Sequence, residues 1–260
     1  MPNFSLTWLA QVLLDAGLKV SEVDGWKSRG RGEVGPIKGV MCHHTATAVS
    51  APGNMPTLQM LIDGRPDLPG PLAQLGLGRD GTYFVIAAGR ANHAGVGNWQ
   101  GLATGNTSFI GIEAENSGLT DNPWPDVQID AYEHGVAALL KKVGADAIMC
   151  CGHKEYALPP GRKQDPSFDM KPFRMHVGAI MSGSAPAISQ IPGSDGAGRP
   201  TLRRGSTGDD VNTLQTDLHI AVTGDFDGVT EAAVREFQRG KNLVADGIVG
   251  PKTWSLLDAA

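Results

Sequence analysis

Two adjacent histidines, His43 and His44, close a short apolar run, and a third, His153, follows another such run after Gly152. Asp165 lies further on, in the polar stretch GRKQDPSFD. Imidazoles and a carboxylate offered from the ends of separate elements suit a rigid metal cage built on a sheet. A hydrolytic zinc site takes three such ligands and keeps one position for water. Spacing alone leaves two readings open, a metal cage or a chance gathering. The chain has seven histidines and neither an HExxH nor a CxxC pattern.

The elements that must position these groups can be read from periodicity. KGVMCH (38–43) reads as a buried strand ending in polar residues, and 55–63 as a short helix. LAQLGLG and TYFVIAA flank Arg79-Asp80-Gly81, and Asp-Gly between such runs signals a hairpin. SFIGIEAE (108–115) is a strand with Ile110 and Ile112 on one face. Residues 126–143 carry a long helical period through Val127, Val136, Leu139, Leu140 and Val143. AIMCC (147–151) reads as a strand and 170–181 as a closing helix. Together these predict an α/β (α+β) domain, a mixed β-sheet covered by helices, over residues 1–181.

Residues 182–200 (SGSAPAISQIPGSDGAGRP) are rich in Ser, Gly, Ala and Pro and read as a flexible linker. Residues 201–260 then hold three helical segments, VNTLQTDL, TEAAVREFQ and PKTWSLLDA, a small all-α domain. Thr230 is read as an N-cap and Pro251 as a first helical residue. The turns GDFDGVT and ADGIVGPKT resemble each other, giving two loop-helix units packed on the first helix. Its expected core is Leu214, Leu218, Phe226, Val234, Phe237, Leu243, Ile248, Val249, Trp254 and Leu257.

Three ordered motifs, His43-His44-Thr45-Ala46, IGIEAEN (110–116) and GHKEYALPPGRKQDPSFD (152–169), resemble the zinc-dependent N-acetylmuramoyl-L-alanine amidases. That family includes phage endolysin amidases and peptidoglycan recognition proteins, and the resemblance covers roughly residues 35–180. It implies a Zn2+ cofactor held by His43, His153 and Asp165. It also implies Glu113 as the base and Lys163, two residues before the third ligand, as the oxyanion partner. The bond implied is the amide joining the muramic acid lactyl group to L-alanine. ANHAGVGNW (91–99) resembles a family loop beside the cleft, so His93 is expected to touch substrate. The chain departs from the pattern in PLAQLGLG, where many members carry a Tyr and this sequence has Ala73. LRRGSTGDDVNTLQ, TGDFDGVTEAAVREFQ and ADGIVGPKTW resemble the three-helix peptidoglycan-binding module. Bacterial peptidoglycan is thus the implied partner of both segments.

Other residues have plainer readings beside these. His44 points to the opposite face from His43 on an ideal strand, so its alternatives to a fourth ligand are a packed residue or one that supports the ligands from behind. We place it with His93 among the substrate contacts. Cys151 is read as a buried thiol rather than a ligand, Cys42 as core, and His134 and His176 as surface or cap residues. Glu115 shares an ideal-strand face with Glu113 and is a rival base. Lys163 has the alternative of a simple surface lysine.

A net charge of -5 disfavours nucleic acid as a partner and means that wall attachment cannot rest on bulk charge. With 41% hydrophobic and 19% charged residues the composition is that of a globular chain rather than a disordered one. Three cysteines are too few for a disulfide framework, and no apolar run is long enough to span a membrane. The N-terminal MPNFSLTWLAQVLLDAGLKV lacks a basic start and a continuous apolar core, and its apolar residues follow a helical period. The expectation is a monomeric phage endolysin made in the host cytoplasm without a signal peptide, reaching the wall by holin-type release. The rivals are a recognition protein that binds peptidoglycan without cutting it, and a zinc peptidase acting on the stem peptide.

Overall fold

The alternation in Gly39–His44 and Phe109–Ala114 decides which residues reach the site. Val40, Cys42, Ile110, Ile112 and Ala114 pack into the main core, while Met41 and Phe109 belong to a separate cluster on the other face. The computed structural model describes residues 4–120, 122–184, 199–241, 243 and 247–258. It divides into two compact units, Met1–Ala185 and Pro186–Ala260. Residues 185–198, most of the expected linker, lie outside the described residues.

In the first unit the elements run α1 (Leu9–Asp15), β1 (Val20–Glu22), β2 (Gly39–His44), α2 (Leu58–Asp63), β3 (Gly64–Arg65) and β4 (Leu68–Pro69). They continue with β5 (Leu75–Leu77), β6 (Tyr83–Val85), α3 (Gly105–Ser108), β7 (Phe109–Ala114), α4 (Asp126–Val143), β8 (Cys150–Gly152), α5 (His153–Tyr156) and α6 (Met170–Ser182). Six strands form a mixed sheet in the order β1-β6-β5-β7-β2-β8. Only β5 and β6 pair antiparallel in it, through the turn that the Asp-Gly signal predicts; the other neighbours are parallel. The parallel β2–β7 ladder sets His43 beside Glu113. AIMCC is only half a strand, because Ala147–Met149 coil into a 3-10 turn before β8 begins at Cys150.

Helices α1, α4 and α6 cover the core face, with Leu9, Leu13, Tyr132, Val136, Leu139, Phe173 and Val177 buried against the sheet. Lys141 and Lys142 stand in the last turn of α4, where the helix dipole favours cations, and Gly144 ends it in the left-handed region (φ 67). Among the described residues, no helix is long and apolar enough to cross a membrane.

The second unit holds α7 (Asp209–Asp217), α8 (Gly228–Gly240) and α9 (Pro251–Leu257). Its core is Leu202, Val211, Leu214, Phe226, Val234, Val249, Trp254 and Leu257, with Leu218 and Phe237 packed at the edge. Leu202 and Val211 were not expected there, and Leu243 and Ile248 are only partly buried. Two glutamines organise the similar turns. Gln215 Nε2 donates to the Asp225 carbonyl at 3.0 Å and to Thr230 Oγ1 at 2.9 Å, while its Oε1 accepts the N–H groups of Thr223 and Gly224. Gln238 repeats this by donating to the Ile248 carbonyl at 2.8 Å and accepting the Gly247 N–H at 2.9 Å. Thr230 is not the N-cap, because α8 already begins at Gly228. Asp227 takes that role, its Oδ1 accepting the Thr230 N–H at 2.9 Å.

Candidate metal centre

The strand ladder delivers His43 to the sheet face opposite α4, and its backbone is fixed from below. The buried Tyr132 hydroxyl accepts the His43 N–H at 2.9 Å and donates to the Ile112 carbonyl at 2.9 Å. His153 is presented by the first residue of α5. Glu155 Oε2 accepts the Gly152 N–H at 2.9 Å just before it, and Arg174 grips both oxygens of Glu155 at 2.7 and 2.8 Å. Asp165 is tied to the same turn, since the Lys154 N–H donates to its carbonyl at 2.7 Å.

These supports bring three donor atoms together. His43 Nδ1 and His153 Nδ1 are 3.1 Å apart, and each is 3.0 Å from Asp165 Oδ2. Both histidines are buried, and the Asp165 side chain is 14% exposed. His153 Nε2 lies 2.9 Å from the Ala94 carbonyl, which can only accept, so Nε2 carries a proton and Nδ1 is the ring nitrogen turned to Asp165. Burial, with His153 nearby, pushes the His43 imidazole down to about 4, so at neutral pH it is uncharged. The two ring nitrogens and the carboxylate oxygen therefore face one point from three sides. Two imidazoles and one carboxylate gathered in this way form a donor set suited to a divalent cation such as zinc.

Glu113 faces the same space. Its Oε1 is 3.9 Å from His43 Nδ1, the side chain is 16% exposed, and Oε2 is buried with no hydrogen-bond partner. Burial and then the charge of Asp165 push its carboxyl well above the usual range, while Lys163 pulls the other way. Lys163 is half-buried, and its charge is felt at both Glu113 and His43. The rival Glu115 is occupied elsewhere. It is fully buried, accepting the Thr45 hydroxyl at 3.1 Å and both the hydroxyl and the N–H of Thr57, so it fastens the loop between them.

The remaining expected residues fall at different depths. His44 is half-buried beside the cluster, its Nδ1 accepting the Ser167 N–H at 3.2 Å and its ring seated on Gly118, where a Cβ would meet it at 2.2 Å. His93 does not stand at the cleft edge. Its ring is buried behind His43, with Nδ1 3.2 Å from His43 Nε2, on the side of that ring away from Asp165. Cys151 packs with Met41, Ala94, Phe109 and Tyr156, outside the donor set. Ala73 is fully buried, so its position supplies no hydroxyl. His134 and His176 pair with Asp130 and Glu133, away from the donor set. Tyr132, Glu155 and Arg174 are the positioning residues that the sequence reading missed. Only Glu155 had a signal, an acidic side chain three residues after Gly152, where it can cap a helix start.

The N-acetylmuramoyl-L-alanine amidase family matches residues 33–168, and the peptidoglycan binding domain family matches residues 207–257. A Kitasatospora aureofaciens protein known as "Uncharacterized protein in bpoA1 3'region" is 40% identical over 91 residues, which is 31% of this chain and 77% of that protein. The zinc D-Ala-D-Ala carboxypeptidase of Streptomyces albus G is 41% identical over 63 residues, covering 21% of this chain and 25% of that enzyme. Among solved structures, the N-acetylmuramyl-L-alanine amidase AmiD from E. coli is 20% identical with a TM-score of 0.44, covering 94% of this chain and 96% of that one. With more than half of its length matched by the family, and with two histidines and a carboxylate gathered at one point, the chain belongs to the N-acetylmuramoyl-L-alanine amidases.

Proposed function

We propose that this protein hydrolyses the amide between the lactyl group of N-acetylmuramic acid and L-alanine in bacterial peptidoglycan, and that the reaction depends on zinc. The observation that carries this reading is the approach of His43 Nδ1, His153 Nδ1 and Asp165 Oδ2 to within 3.1 Å of one another. His43, His153 and Asp165 would hold the ion, which when bound activates water and polarises the scissile carbonyl. Glu113 takes the proton of the attacking water on the carboxylate that lacks a partner, and returns it to the departing amine. Its depressed acidity fits a group that must both accept and give back a proton. Lys163 stabilises the negative charge that develops on the carbonyl oxygen. Ala73 offers no hydroxyl to share that task, so these two residues carry it. His44, at the edge of the cluster, contacts substrate.

Residues 1–181 form the catalytic domain in this reading, and residues 201–260 bind the wall across a linker. The pairing of an amidase segment with a peptidoglycan binding segment in one chain supports action on intact wall rather than on soluble fragments. An endolysin role is the corresponding biological proposal. Its test is lysis from within when the protein is co-expressed with a pore-forming membrane protein.

The enzymatic proposal is tested by digesting purified walls and identifying the new ends. Free L-alanine amines without new reducing sugar ends, lost on chelation and regained with zinc, are expected. New reducing ends, cleavage within the stem peptide, or binding without cleavage would overturn it.

A further inference from the structure

The glycine between the two isoleucines of β7 leaves room for a ring. A Cβ on Gly111 would fall 2.7 Å from His93 Cγ, closer than side chains tolerate, so the bare backbone is what seats His93 there. His93 stands edge-on to His43, with ring centroids 5.3 Å apart and planes at 90°. Its Nε2 lies 3.3 Å from the Phe109 carbonyl and its Nδ1 lies 3.2 Å from His43 Nε2.

The proton positions along this line are set by the acceptor at its far end. The Phe109 carbonyl only accepts, so His93 Nε2 carries a proton. In the tautomer that this carbonyl selects, His93 Nδ1 presents a lone pair to His43. That lone pair accepts from His43 Nε2, so the His43 proton sits on Nε2 and its free lone pair on Nδ1, the atom facing His153 and Asp165. The backbone carbonyl of Phe109 thereby dictates, through one ring, the tautomer of the next. His153 reaches the same state directly from the Ala94 carbonyl.

We propose that His93 is a positioning residue that fixes the tautomer and the ring orientation of His43 for metal binding, relaying the Phe109 carbonyl. This rests on the reading of His43, His153 and Asp165 as the zinc ligands. It explains why His93 lies behind the site, and why Gly111 separates the two core-facing isoleucines of β7. Such outer partners typically contribute 10–100-fold to metal affinity.

The test compares the full-length protein with its His93→Phe and His93→Asn variants. Phe keeps a ring of similar breadth with no acceptor, whereas the Asn Oδ1 stands where the imidazole Nδ1 was and can accept from His43. Zinc affinity is measured by competition with a chromophoric chelator, and the thermal midpoint of each metal-free protein is recorded beside it. The expected result is a loss of about 10–100-fold in zinc affinity for His93→Phe and less than about threefold for His93→Asn, at similar midpoints. Two-bond proton–nitrogen spectra of the metal-free parent should place the His43 proton on Nε2, and in His93→Phe that single tautomer should be lost. Equal zinc affinity in parent and His93→Phe, an Asn variant as weak as the Phe variant, or a parent His43 protonated on Nδ1 would overturn the proposal. A parent that binds no zinc would instead overturn the ligand assignment, and the spectra would still decide the tautomer.

Discussion

Each unit of this chain contains a polar cluster in its interior, and the two are built on opposite terms. In the second unit Gln215 and Gln238 have donors and acceptors matched, each amide spanning a turn and the helix that follows it. In the first unit His43, His153 and Asp165 crowd three donor atoms onto one point, and Glu113 beside them keeps a buried oxygen with no partner. Buried polar groups are normally satisfied because leaving one unmade costs about 1–3 kcal/mol. A satisfied cluster therefore reads as architecture, and an unsatisfied one as a site awaiting what completes it. Glu113 and Glu115 show the same contrast at close quarters, one oxygen free in the first and both engaged in the second.

Substitutions can break or sharpen this contrast. The largest effect is expected from Asp165→Ala, which should abolish zinc binding and take wall cleavage to background while the metal-free protein still folds. Metal content and release of new L-alanine amines would check it. Glu113→Gln should lower kcat by about 10²–10⁴-fold with zinc still bound. Its metal-free form should be no less stable than the parent, because a buried carboxylate that lacks a partner loses its charge. Glu115→Gln should do the reverse. Denaturant unfolding should show a loss of about 1–3 kcal/mol, because one of the oxygens that accept from Thr45 and Thr57 becomes an amide nitrogen that cannot, with zinc affinity nearly unchanged.

Gln215→Ala should cost the second unit about 2 kcal/mol by stranding the Thr223 and Gly224 N–H groups, with no change in cleavage of a soluble muramyl peptide. Asp227→Ala, which removes only a helix cap, should cost about 1 kcal/mol. Thermal unfolding of the full chain, followed by a probe in each unit, would separate these last two from the first three.

Much of this was legible in the sequence because it is local. The alternation in 108–115 placed Ile110 and Ile112 in the core and left Glu113 on the other face, where the structure has it. The Asp80-Gly81 turn and the bounds of α4 follow from turn chemistry and helical period. What escaped was depth. Strand alternation says which face a residue takes, but not that a loop will pass beneath that face and bury His93 behind His43. Nor does it tell Glu113 from Glu115, because their difference lies in Thr57, which approaches from a distant loop. Tyr132 read simply as part of a helix, and only its packing shows that its hydroxyl holds the His43 backbone. Thr230 was mistaken for a cap because its hydroxyl suits one, but Asp227 precedes the helix and takes the N–H first.

The convergence of three protein atoms on one point is the central claim, and anomalous diffraction at the zinc edge from crystals grown with zinc tests it most directly. The account predicts one strong peak per chain, about 2.0–2.2 Å from His43 Nδ1, His153 Nδ1 and an Asp165 oxygen. A zinc edge map empty at that point, or a peak bound through Cys151 or through the far nitrogens of the two rings, would contradict it.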